Sequence, residues 1–208
     1  MRSSLKHYPA LALAATLLLL SGCSQSPAPS TAATNPPAPP QTITAKTAIS
    51  PLYKAALAWS GDAQVMHMTT REVPGFKNDA GKAAMWEAAF GSPSKHQLRV
   101  YTYSIATALP QIHKGVDAGL PLAWAGQTRD AMPIDLGLFS VDSDAAYQAA
   151  AADAAPWLAK NPDKPLSSLE LGSNYKLQAP VWYVAWADKK SGYFALVDAT
   201  SGKVYKSR

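Results

Sequence analysis

Residues 180–208 read PVWYVAWADKKSGYFALVDATSGKVYKSR. Val181 to Trp186 and Tyr193 to Asp198 are rich in β-branched and aromatic side chains. Asp188-Lys189-Lys190-Ser191-Gly192 between them supplies turn chemistry, so the stretch predicts a β-hairpin. Thr200-Ser201-Gly202 predicts a second turn, followed by a short strand at Val204-Tyr205. Trp182, Val184 and Trp186 share one strand face, while Tyr183 and Ala185 share the other. With both faces apolar, at least one ring beyond the core is expected to pack against a second unit. The rings suit a core, where large aromatics dominate burial. The alternative that the core reading outweighs is an exposed platform for a glycan, peptide or protein, with Trp182, Trp186 and Tyr183 as its candidate residues. Asp198, Thr200 and Gly202 have the chemistry of a tight structural turn.

Working upstream, Asp142-Ser143-Asp144 offers helix caps ahead of the alanine-rich AAYQAAAADAA, with Pro156 as its expected end or kink. Leu166 to Leu171 is a strand candidate. The order helix, strand, aromatic hairpin also occurs in the first half. Ser50-Pro51 predicts a helix start, running through Leu52, Ala55, Ala56 and Trp59 to Ser60-Gly61. Strands are expected at 63–73, 83–90 and 97–105, with Gly91 to Ser94 as a turn and Gly115 to Gly119 as a loop. Sliding the chain on itself by 96 residues places Trp86 on Trp182, Ala89 on Ala185 and Phe90 on Trp186. Only two of the 17 positions from 86 to 102 are identical, so the shared order of elements carries the inference. The expected fold is α+β: two small α-β-β-β modules with antiparallel sheets, residues 51–137 and 138–208, packed together.

Val197-Asp198-Ala199-Thr200-Ser201-Gly202-Lys203-Val204, with the aromatic strand before it and the helix from Asp142, resembles a PepSY-like module over residues 141 to 205. The first module resembles that family only in element order and Trp86, and lacks the Asp-Ala-Thr-x-Gly turn. The resemblance implies a non-catalytic module that binds or restrains an envelope protein or peptide partner.

The N-terminus carries an address. Arg2 and Lys6 precede PALALAATLLLL, residues 9–20, whose 12 residues are too few for the roughly 20 that cross a bilayer as a helix. Leu20-Ser21-Gly22-Cys23 then resembles the lipobox of bacterial lipoproteins. That resemblance implies cleavage between Gly22 and Cys23, with Cys23 acylated. A single chain would hold only marginally, and several hold stably. Ser24, rather than Asp, resembles lipoproteins sent to the outer membrane, which implies a module facing the periplasm from its inner leaflet. Residues 24–50 contain six prolines and one charge, Lys46, and read as a disordered tether.

The 208 residues carry a net charge of +5, which invites a nucleic-acid reading. Removing Arg2, Lys6 and Lys46 leaves 16 basic and 14 acidic residues from 51 to 208, a net of +2, so no nucleic-acid partner is expected. One cysteine excludes an intramolecular disulfide. His67, His96 and His113 stand apart in sequence, so no metal site or cofactor is expected. No nucleophile elbow or phosphate-binding glycine loop is present. Glu72 with Asp79, or Asp142 with Asp144, could pair as acid and base, although capping explains the second couple better. The expectation is therefore a binding or scaffolding lipoprotein rather than an enzyme. The alternative is a periplasmic glycan or small-ligand binder with an exposed tryptophan face.

Overall fold

A computed structural model describes residues 41–129, 131–188 and 191–206. The signal segment, Gly22, Cys23 and the tether as far as residue 40 lie outside the described residues.

Helix α1 spans Ala45–Trp59. Ala45, Ala48, Ile49, Leu52 and Ala56 are buried along it, a helical spacing that turns one narrow face to the core. This corrects the expected start at Ser50-Pro51. The burial of Ala45, Ala48 and Ile49 supports the helix for six residues before Pro51, which tertiary packing makes tolerable inside it. Lys46 accordingly belongs to the fold, with its ammonium donating to the Ser140 carbonyl at 2.6 Å.

Strands β1 (Gln64–Arg71), β2 (Met85–Ser92) and β3 (Gln97–Ser104) follow, then β4 (Gly115–Ala118) and β5 (Leu122–Ala123). Two expectations are corrected here. The stretch from 115 to 119 is largely strand, drawn into register by β3 despite its two glycines. The turn after β2 lies at residues 93–96, because β2 runs on through Ser92. Ser92 and Ser60 both donate to Asp62 Oδ1, at 2.8 and 2.7 Å, and the Ser94 amide donates to Oδ2 at 2.7 Å. That carboxylate pins the end of α1 to the β2–β3 hairpin.

Helix α2 covers Ser143–Leu158, and its buried face is built from Ser143, Ala146, Ala150 and Ala154. It includes Pro156 in its last turn. Strands β6 (Leu166–Asn174), β7 (Ala179–Trp186), β8 (Tyr193–Asp198) and β9 (Val204–Lys206) complete the chain. Among the described residues, all nine strands form one antiparallel sheet in the order β4-β3-β2-β1-β6-β7-β8-β9, with β5 also on β3. The fold is therefore α+β, and the sheets of the two repeats are continuous. They join where β1 meets β6, with Met68 opposite Leu171 and Thr69 opposite Glu170.

Both helices lie on one face of this sheet, and Trp86 and Trp182 fill its centre. Each indole N–H donates at 2.9 Å to the carbonyl two residues before a helix, Ile43 for Trp86 and Val141 for Trp182. The two rings meet edge to face at 6.3 Å, so the 96-residue correspondence is a structural one and the seam is packed by its own repeat residues. The helix starts converge on the same place. Asp142 Oδ1 accepts from the Ser143 amide of α2 at 2.8 Å and from the Lys46 amide of α1 at 3.0 Å. Ser143 Oγ accepts from the Ala45 amide at 3.0 Å. One carboxylate thus caps two helices and sits at the positive end of both dipoles. Gly81 is required nearby: its φ is +82° and a Cβ there would lie 2.3 Å from the Ser143 carbonyl oxygen.

Three outcomes follow. Trp182→Phe keeps an aromatic ring but takes the indole donor from the partly buried Val141 carbonyl, and should lower stability by about 1–3 kcal/mol in urea unfolding. A loss no larger than that of an exposed tyrosine control would contradict this role. The Ser60 hydroxyl first, then the Ser94 amide and the Ser92 hydroxyl, hold the Asp62 pKa well below the usual carboxylate range. A depressed pKa stabilises the fold above the unfolded value near 4 and loses that contribution as pH falls below it. Asp62→Asn should therefore lower Tm at neutral pH, with the gap to the parent protein closing under acid. Tyr193 behaves oppositely. Burial, and then its hydrogen bond to the Asp153 carboxylate, push its pKa to about 12. Its contribution is complete below about pH 10 and fades toward pH 12, so Tyr193→Phe should remove one late step from the phenolate absorbance titration and leave the step of buried Tyr101 in place.

Candidate functional site

The second face of the sheet carries no helix, and apart from Gly91, Ser104, Gly172 and Val181 its residues are half-buried or exposed. Period-two alternation sorts it. Trp86, Ala88 and Phe90 point to the helices, so Met85, Glu87, Ala89 and Gly91 point away; Trp182, Val184 and Trp186 likewise leave Tyr183 and Ala185 outside.

Along the β1–β6 seam this open face is polar. His67 Nε2 lies 3.1 Å from Glu170 Oε2, with about 42% and 41% of the two side chains exposed. The Ser168 hydroxyl donates to Glu170 Oε1 at 2.6 Å. The Thr69 hydroxyl donates to the Leu169 carbonyl at 3.2 Å. Arg71 and Glu87 form a paired guanidinium–carboxylate contact at 2.8–2.9 Å. Glu170 therefore sits between a hydroxyl and an imidazole, with its carboxylate fixed by both. The arrangement offers directed donors and acceptors, but the hydroxyl bonds the carboxylate rather than the imidazole, unlike a nucleophile–base pair.

Half-exposed rings flank the seam. Trp124 lies over Gly91, where a Cβ would stand 2.8 Å from the indole. Tyr183 lies over Gly172 and stacks on Phe194 at 6.0 Å. Trp124 rests on backbone that only glycine bares at that distance, while a Cβ at Gly172 would stand 3.3 Å from the Tyr183 ring. A polar line between aromatic shoulders suits a ligand with alternating polar and apolar groups.

Of the candidate binding residues, only Tyr183 lies here. Trp182 is fully buried and Trp186 is 3% exposed, which corrects the exposed-tryptophan platform. Trp182 touches Trp86 and Phe139, and Trp186 touches Tyr147 and Tyr193. The packing between repeats is made by the buried ring rather than the outward one.

Asp198 Oδ1 accepts from the Thr200 and Ser201 amides at 2.8 and 2.9 Å. The Gly202 amide donates to the Asp198 carbonyl at 2.8 Å, with φ +76° at that glycine. The Thr200 hydroxyl reaches the Leu138 carbonyl at 2.8 Å, tying this turn to the segment before α2. Asp142 and Asp144 are spent on helix amides, the latter on Ala145 at 2.8 Å. Cys23 and Gly22 lie outside the described residues.

A separate open hollow of about 440 Å³ lies between α1 and the segment leading to α2, over Tyr53, Val65 and Ile134. Among the described residues, no group of three or more His, Cys, Asp or Glu side chains could hold a metal ion. None of their helices is long and apolar enough to cross a membrane.

No family model matches the chain, and no curated protein matches it. A crystal structure from Clostridium difficile 630, of a protein provisionally described as a lipoprotein, superposes with a TM-score of 0.49 and 12% identity. The match covers 76% of this chain and 90% of that one. So distant a likeness identifies neither family nor function.

Proposed function

We propose that this protein is a lipid-anchored lipoprotein of the bacterial envelope whose folded unit is a binding or scaffolding module acting without catalysis. The open sheet face carries the reading. Two helices cover one side, while the other presents the His67–Glu170 seam between Trp124 and Tyr183. Leu20-Ser21-Gly22-Cys23 supports the anchor, and Ser24 supports outer-membrane sorting with the module facing the periplasm. The PepSY-like closing turn at Asp198 to Val204 supports a partner that is an envelope protein or peptide, bound or restrained through that face.

Two changes separate anchor from face. Cys23→Ala should abolish incorporation of labelled palmitate in cells, and persistent labelling would sink the anchor. Thr69→Arg with Glu170→Ala removes the seam's side-chain hydrogen bonds and should cost about 1–3 kcal/mol in thermal unfolding while leaving the chain folded. The same pair should abolish crosslinking of partners through a photoreactive residue at position 183. Undiminished crosslinking would exclude the open face as the binding surface.

A further inference from the structure

The exposed apolar side chains are unevenly placed. Of the eight large ones among the described residues, Leu109, Val116, Leu120 and Leu122 fall within one stretch of 14 residues, and are 70%, 40%, 84% and 60% exposed. This stretch is the outer edge of the first repeat. Val116 pairs with Tyr103 and Leu122 with Leu98, so both lie along β3, and strand alternation turns Val116 to the helix side of this edge and Leu122 to the open side. Scattered exposed leucines need no explanation, but four large apolar side chains gathered along one edge do.

An apolar edge strand ordinarily invites another strand. This one is closed to it in part. Asp117 Oδ1 accepts the Ala118 amide at 2.8 Å, and Arg99 Nε donates to the Gly119 carbonyl at 2.8 Å. Pro110 and Pro121 have no amide to offer. The side chains are thus presented while the backbone is blocked in part, which favours a partner that needs no backbone hydrogen bonds. Charge points the same way. Arg99 and Lys114 stand beside the row, and its one carboxylate, Asp117, is turned onto its own backbone.

We infer that this edge docks on the anionic surface of the bilayer, with Leu109, Leu120 and Leu122 entering the headgroup boundary. Aliphatic side chains with basic neighbours bind such surfaces by apolar burial plus attraction to anionic lipid. The inference rests on the anchor at Cys23, which confines the fold near lipid. The 17 residues from 24 to 40 span at most about 53 Å even as extended polyproline.

The full acylated chain tests it. Its one cysteine is the acylated residue, so Leu120→Cys supplies the sole free thiol for an environment-sensitive fluorophore. The protein is reconstituted on phosphatidylglycerol–phosphatidylethanolamine vesicles, with Lys176→Cys in the β6–β7 turn as the control. Lipids brominated near the headgroup should cut emission at position 120 by about twofold, the depth expected of an interfacial side chain, and leave position 176 unchanged. Equal, weak quenching at both positions overturns the docking. Emission raised at position 120 without bromolipid quenching assigns the edge to a protein or a second copy, and also overturns it. Failure of the chain to float with the vesicles overturns the anchor itself, and the docking with it.

Discussion

The structure depends on a pair of buried indoles at one seam. Trp86 and Trp182 each donate to the carbonyl that precedes a helix, and the two rings close on one another between the repeats. A buried N–H costs free energy unless it is bonded, so each tryptophan fixes the helix start beside it as well as filling volume. The helix starts then share the Asp142 carboxylate. Helix placement, sheet continuity and capping therefore meet within one region. A change there reaches both repeats.

This arrangement also decides which surface is left for function. The alanine faces of α1 and α2 approach one side of the sheet closely, and the large rings from β2 and β7 fill what remains. Strand alternation then sends His67, Thr69, Ser168, Glu170 and Tyr183 to the side without helices. The same tryptophans that make the seam rigid are consequently unavailable to a ligand. Burial of the core and exposure of the seam face are two results of one register.

Much of this was legible from residues. The hairpin from Val181 to Asp198, the alanine-rich helix after Asp142 and the correspondence of Trp86 with Trp182 all follow from patterns local to a few residues. The start of α1 did not, because Ser50-Pro51 has the chemistry of a helix start, and only tertiary burial of Ala45, Ala48 and Ile49 overrides it. Strand β4 was missed because two glycines and an aspartate read as loop, while β3 supplies its register. The joining of the sheets through Met68–Leu171 and Thr69–Glu170 is a contact across about a hundred residues, which no local pattern encodes. The site was less legible still. His67 and Glu170 are unremarkable apart, and Trp124 gains its place only from the glycine beneath it. The polar residues at 67, 69 and 71 did alternate with Met66 and Met68, a signal of which strand face meets water.

The central claim is that two repeats share one core through the β1–β6 seam. Native-state hydrogen exchange in increasing denaturant tests it most directly. The amides of Met68, Thr69, Glu170 and Leu171 should exchange only through global unfolding, with the same free energy as the central amides of β2 and β7. A second repeat that opens while the first stays protected, with seam amides exchanging at that lower free energy, would contradict it.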